Sequence, residues 1–228
     1  GMLAESRAIY TIAHTVSARL SRYNGLASEP LYHPPRLAGR LHGGPAGDYV
    51  LSVGRLESVK RVDLVIGALA AAPRHLRLLV AGTGTERETF VRLASDLGLD
   101  DRVQFLGEVD DDTLIELYAG ALAVVYPPFD EDLGYVTLEA FLSKKPVVTT
   151  HDAGEPARFV IDGVNGRVTD PDPKAIGAAI ADKVIQIVTT GRLTQLEDLR
   201  ARYPAGLGDM LALARPPAAT RPLRAVTF

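Results

Sequence analysis

The chain has 228 residues, 46% of them hydrophobic, with no cysteine, 25 Lys plus Arg against 28 Asp plus Glu, and a formal net charge of −3. That length and apolar content supply a full core, while the missing thiols exclude disulfides and thiolate metal sites and fit a reducing compartment. A pI near 6.0 lacks the domain-wide basic excess of a nucleic-acid binder, and no apolar run reaches the roughly 18 residues of a membrane-spanning helix.

In chain order, residues 1–48 read as the close of a preceding unit followed by a linker. Ala8 to Ala13 is strand-like, Ser17 to Tyr23 helical, Pro30 to His33 extended, and Pro34 to Gly47 is rich in proline and glycine. From residue 49 the pattern changes. Strand-like runs at Tyr49 to Val53, Leu76 to Ala81, Val103 to Leu106, Ala121 to Tyr126, Pro146 to Thr149 and Gly166 to Thr169 alternate with helical periodicity. The helical periods are carried by Val62, Val65, Ile66 and Leu69, by Phe90, Leu93, Ala94 and Leu97, and by Leu114, Leu117 and Tyr118. This alternation predicts an α/β fold for residues 49–190: a Rossmann-like, doubly wound parallel sheet of about six strands with helices on both faces. Residues 191–214 are expected to form C-terminal helices. Residues 215–228, with three prolines, three arginines and no acid, are expected to be a poorly ordered tail.

In open α/β sheets ligands bind beyond the carboxyl ends of the strands, so the loops there carry the candidate chemistry. The first runs from Gly54 through Arg55 to Lys60, delivering two cations ahead of a helix, where they either hold a diphosphate or are solvated surface charge. In the second, Gly82 and Gly84 permit either a ligand's close approach or a tight strand-to-helix turn. A dinucleotide fingerprint is not expected here, because Arg87 occupies the third glycine's place. The third holds a carboxylate pair. Glu131 is predicted in the loop and Glu139 near the N-terminal end of the next helix, both facing a crevice suited to a ligand with hydroxyls and phosphates; each is otherwise an ordinary loop or helix acid. The fourth, His151 to Pro156, reads as a polar turn with an imidazole at the sheet edge. Asp110 and Asp112 read as helix capping, and the five histidines show no ligand spacing, so no metal site is expected.

Taken in order, Ser52-Val53-Gly54-Arg55-Leu56 with Lys60, Ala81-Gly82-Thr83-Gly84, Phe105-Leu106-Gly107, Tyr118-Ala119-Gly120-Ala121, the segment Glu131 to Ala140, Lys145-Pro146-Val147-Val148 and Asp162-Gly163-Val164-Asn165-Gly166 resemble a known family. It is the C-terminal, donor-binding half of family 4 glycosyltransferases (glycosyl transferases group 1), which have the two-domain GT-B fold. The likeness covers roughly residues 49–185, and Ile9 to Pro35 resembles the stretch that closes the N-terminal half. It implies a retaining, metal-independent glycosyltransferase, hexosyltransferase-like, with no cofactor and a nucleoside-diphosphate sugar as donor. Arg55 and Lys60 would bind the donor diphosphate and Glu139 the ribose. Glu131 would be the catalytic residue at the donor sugar, with Gly54, Gly82, Gly84, Asp132, Leu133, Gly134 and Tyr135 lining the donor loops.

Two departures stand out. The family's Glu-Gly-Phe-Gly is here Glu131-Asp132-Leu133-Gly134, and its Asp-Ala-Gly-Gly-Pro-Leu-Glu is Asp152-Ala153-Gly154-Glu155-Pro156-Ala157-Arg158. They leave alternatives open: a non-catalytic nucleotide-sugar-binding scaffold, or a nucleotide-sugar epimerase on the same fold. The expected partners are the donor, an acceptor of unknown class (saccharide, lipid or small molecule) and an N-terminal acceptor domain missing from this chain, without which it is expected to be inactive. The expected location is the cytoplasm, or the inner face of the membrane in the full-length protein.

Overall fold

The computed structural model describes residues 6–181; the helices expected over 191–214 and the tail 215–228 lie outside them. Six parallel strands form one sheet: β3 (Tyr49–Val53), β4 (Arg77–Ala81), β5 (Val103–Gly107), β6 (Ala123–Val125), β7 (Val147–Thr150) and β8 (Gly166–Thr169). Their order is β5-β4-β3-β6-β7-β8, so the winding reverses between β3 and β6. This is the strand order of a Rossmann-like sheet, as the alternation predicts.

Both faces of the sheet are covered, which is why its strands read as nearly unbroken apolar runs. Val50, Leu78 and Val80 point to one face, where α2 (Val62–Ala71), α3 (Arg87–Asp96) and α7 (Pro173–Ala179) contribute Ile66, Phe90 and Ile176. Leu51, Leu79 and Val124 point to the other, against Tyr118, Phe141 and Phe159 from α4 (Asp111–Gly120), α5 (Tyr135–Leu142) and α6 (Glu155–Phe159). The alternation of adjacent strand residues between two clusters follows from the two-residue period of a strand.

Ahead of the sheet, β1 (Tyr10–Thr11), α1 (His14–Asn24) and β2 (Glu29–Pro30) form a small unit whose two strands pair in parallel. The linker that follows is tied down by side chains. The buried Lys145 ammonium donates to Gly44 O at 2.8 Å, and Arg36 forks onto Asp111 at 2.5 and 2.6 Å. Asp110 caps α4 by accepting from Thr113 N at 2.8 Å.

Several boundaries differ from the sequence reading. The strand expected over Ala121 to Tyr126 has only Ala123–Val125, because Ala121 N bonds back to Tyr118 O at the end of α4. β4 starts after Leu76, whose N–H is used in a turn to Pro73 O. α1 starts three residues before Ser17, since Thr15 N donates to the carboxylate of Glu155, 140 residues away in sequence. A long-range cap of this kind leaves no local signal.

Candidate functional site

Because the winding reverses between β3 and β6, a crevice opens beyond Val53 and Val125, at the switch point where such sheets bind ligands. Lys60 ends a single 3-10 turn, Ser58–Lys60, in the loop after β3. Its ammonium makes an ion pair with Glu131, from the loop after β6, and lies 3.4 Å from the Tyr126 hydroxyl. The two side chains are 14% and 22% exposed. The pair therefore spans the crevice from one side of the switch point to the other.

The turn continues into Arg61, held at φ 50° in the left-handed region. Five hydrogen bonds offset that strain. Its guanidinium donates to Pro127 O and Pro128 O at 2.7 Å, to Thr150 Oγ1 at 2.8 Å, and in a fork to Asp152 at 2.8 and 2.7 Å. The fork from Arg61, aided by the Thr150 hydroxyl, holds the Asp152 carboxyl at about 2, below the ordinary carboxylate range. The loop is fixed through its backbone as well: Glu131 N donates to Ala153 O and Glu155 N to Glu131 O, both at 3.0 Å.

Glu139 lies in the middle of α5 rather than at its N-terminal end. The Tyr118 hydroxyl donates to it at 2.8 Å. Burial pushes the Glu139 carboxyl above its usual value against the opposing effect of that hydrogen bond. Tyr126 stands between the two glutamates: burial chiefly, then Glu131 and more weakly Glu139, pushes its hydroxyl far up, and Arg55 opposes the shift. Glu131 and Glu139 thus act on one aromatic hydroxyl, each with its own further partner.

The two cations are engaged differently. Arg55, 71% exposed, turns to Glu57 at 2.9 Å. It lines a cavity of 350 Å³ with Val53, Gly54, Gly82, Thr83 and Val109 at the ends of β3, β4 and β5. Here the glycines let one loop lie on another. A Cβ on Gly82 would sit 2.0 Å from Gly54 O, and one on Gly84 would sit 2.4 Å from Leu56 O. Gly54 N to Ala81 O at 3.0 Å and Leu56 N to Thr83 O at 2.8 Å complete the contact. Of the remaining candidates, Leu133 is buried, Gly134 precedes α5, Asp132 pairs with Arg19, and the Tyr135 hydroxyl meets the His33 imidazole. His151 sits apart beside Asp170 at 3.4 Å.

Sequence reasoning missed Arg61, Tyr126, Asp152 and Tyr118. The cue for Arg61 was its place next to Lys60, ahead of a helix; Tyr118 read as core. Among the described residues no group of three or more His, Asp or Glu is placed to hold a metal ion, and no helix is long and apolar enough to cross a membrane.

The sequence profile of the family described as glycosyl transferases group 1 matches residues 45–197. A D-inositol 3-phosphate glycosyltransferase from Mycolicibacterium smegmatis is 32% identical over 193 residues, 75% of this chain and 43% of that protein. The protein of the same name from Frankia alni is 36% identical over 186 residues, 76% of this chain and again 43% of that protein. The chain therefore spans less than half the length of these relatives. Among solved structures, Anabaena HepE in complex with UDP and glucose matches with a TM-score of 0.67 at 22% identity, covering 87% of this chain and 64% of that one. An S. aureus TarM mutant in complex with fondaparinux, alpha-GlcNAc-glycerol and UDP gives 0.76 at 15% identity, covering 93% and 43%.

Proposed function

Because the chain belongs to the glycosyl transferases group 1 family, we propose that its crevice binds a nucleoside-diphosphate sugar as the donor for glycosyl transfer. The observation that carries this reading is the Lys60–Glu131 pair across the switch point, beside the cavity at the ends of β3 to β5. Lys60 releases Glu131 to take the diphosphate, and the exposed Arg55, free to leave its partner Glu57, joins it. Glu131 then faces the donor sugar, and Glu139, oriented by Tyr118, accepts from the ribose hydroxyls. Departure of the sugar builds negative charge on the leaving diphosphate, and fixed cations stabilise that charge without a metal. The transfer is a retaining one, and the acceptor is held by a second domain, in keeping with the greater length of the relatives. UDP is the first ligand to test, since HepE and TarM were solved with it.

The two departures from the family pattern do not count against this reading. Asp132 is turned to Arg19 and Glu155 to Thr15 and Tyr32, so each carboxylate is already engaged by another side chain. Calorimetry with UDP and UDP-glucose on the wild-type chain and on Lys60→Ala tests the proposal. Saturable binding that Lys60→Ala weakens at least tenfold is expected. Binding of neither ligand, nor of other nucleoside diphosphates, would overturn it.

A further inference from the structure

Residues 10–33, the β1-α1-β2 unit and the three residues after it, grip the donor side of the crevice through a fully buried carboxylate. Glu155 is 0% exposed. One of its oxygens accepts from Thr15 N and Thr15 Oγ1, both at 2.8 Å, and the other accepts from the Tyr32 hydroxyl. The bond to Thr15 N supplies the cap that Ala13, at the start of α1, has no side chain to make. A buried carboxylate with three donors satisfies the hydrogen-bonding demand of its site. Arg158 Nε at 3.8 Å adds a positive charge. Tyr32 also packs on Phe159, with ring centroids 5.6 Å apart.

The backbone of the same residue reaches the site. Glu155 N donates to Glu131 O, and Glu131 N donates to Ala153 O, both at 3.0 Å, forming an isolated parallel bridge between Glu131 and Gly154. Gly154 has φ +77°, and a Cβ there would lie 2.4 Å from Glu131 O, so the two backbones lie directly against each other. Two further links join the same partners: Arg19 pairs with Asp132, and His33 meets Tyr135. An unbroken series of hydrogen bonds therefore runs from Thr15 and Tyr32 through Glu155 to the backbone of Glu131, whose carboxylate holds Lys60.

We propose that Glu155 is a positioning residue for the donor sugar: latched by Thr15 and Tyr32, it fixes the backbone of Glu131 and so aims the Glu131 carboxylate. The proposal rests on the donor reading above, because it assigns Glu131 to the sugar. The crevice would then grip the sugar fully only with residues 10–33 docked, whereas Lys60, once it has released Glu131 to take the diphosphate, makes contacts that no longer run through Glu155.

The test compares wild type with Glu155→Gln and with the Thr15→Val, Tyr32→Phe double variant on UDP and UDP-glucose. Losing charge-assisted hydrogen bonds should weaken UDP-glucose about tenfold, while UDP changes less than about twofold. Equal losses on both ligands, or none, would mark Glu155 as merely structural. Amide exchange reads the latch without ligand. The Glu131 and Glu155 amides should exchange about tenfold faster in the variants, with Leu51 and Leu79 unchanged; unchanged rates at Glu131 would overturn the coupling. If wild type binds neither ligand, the donor reading fails and the exchange measurement still judges the latch. Should Glu155→Gln fail to fold, Thr15→Val alone, which keeps the Thr15 N–H bond, carries both measurements.

Discussion

The loops beyond β3 and β4 and the loops beyond β6 and β7 flank the same crevice, yet they are fixed by different forces. On the first side backbone lies on backbone: Gly54 N and Leu56 N bond to Ala81 O and Thr83 O, and Gly82 and Gly84 leave no room for a side chain between the loops. The second is joined to the first by charge, with Arg61 and Lys60, both from the loop after β3, forked onto Asp152 and paired with Glu131. A backbone contact has one geometry and is indifferent to pH. An ion pair can be broken by an arriving anion, so the second side is where a charged ligand can change the structure. The crevice thus has a fixed wall and a responsive one.

The most damaging change to the fixed wall is Gly82→Ala. Its φ of +135° and the 2.0 Å approach to Gly54 O together predict a loss on the order of 3 kcal/mol or a failure to fold. Gly54→Ala is the sharper companion, since Gly54 also has positive φ but nothing within 4 Å of its added Cβ, and it should cost about 1–2 kcal/mol. Denaturant unfolding that ranks the two equally would break the claim that loop contact, and not dihedral strain alone, shapes this wall.

At the charged junction between the two walls, Lys60→Ala should cost UDP binding on the order of 1.5–3 kcal/mol. Arg55→Ala should also weaken UDP while leaving the unfolding midpoint unchanged, because Arg55 is 71% exposed and, among the described residues, hydrogen-bonds only to Glu57. Calorimetry reads the first effect and thermal unfolding the second. Full UDP affinity in Lys60→Ala would remove the phosphate role from this junction.

Next in size is Asp152→Asn. Its folded-state value of about 2 against an ordinary 3.8 corresponds to about 2 kcal/mol, an upper figure for a side chain 24% exposed. A depressed carboxyl stabilises the fold above its unfolded value and loses that contribution as pH falls through the folded one. The stability gap between wild type and Asp152→Asn should therefore be full near neutral pH and close between 3.8 and about 2. A gap that persists at the acid end would mean Arg61 holds the loops without this charge.

How much of these walls the sequence reveals follows from the range of the forces. The strands of the sheet are legible because burial on both faces makes them apolar runs, and the glycine turns because chain geometry is local. Lys60 and Glu131 are legible by their place in loops after strands, whereas Glu139, expected near the N-terminal end of its helix, lies in its middle. The Arg61–Asp152 clasp is not, since its members are 91 residues apart, and a basic residue ahead of a helix looks the same whether paired or free. Asp132 and Glu155 are visible as departures from a pattern, but nothing near them in sequence names Arg19, Thr15 or Tyr32 as what they hold.

The smallest predicted effect separates binding from stability at a residue that belongs to neither wall alone. Glu139 is pushed above its ordinary 4.5, chiefly by burial, while the Tyr118 hydrogen bond acts against the shift. The fold therefore favours the protonated form. The stability this group contributes is complete below 4.5 and is lost as pH rises through its folded-state value. Glu139→Gln cannot ionise, yet its amide oxygen can still accept from Tyr118. It should match wild type in acid and exceed it in unfolding midpoint near neutral pH. The same variant should bind UDP roughly threefold to tenfold more weakly, because one acceptor to the ribose is gone while the rest of the ligand's contacts remain. Stability rising as affinity falls is the signature of a carboxylate kept buried for a ligand. A variant less stable than wild type near neutral pH would instead make Glu139 a structural partner of Tyr118, and the ribose would need another acceptor.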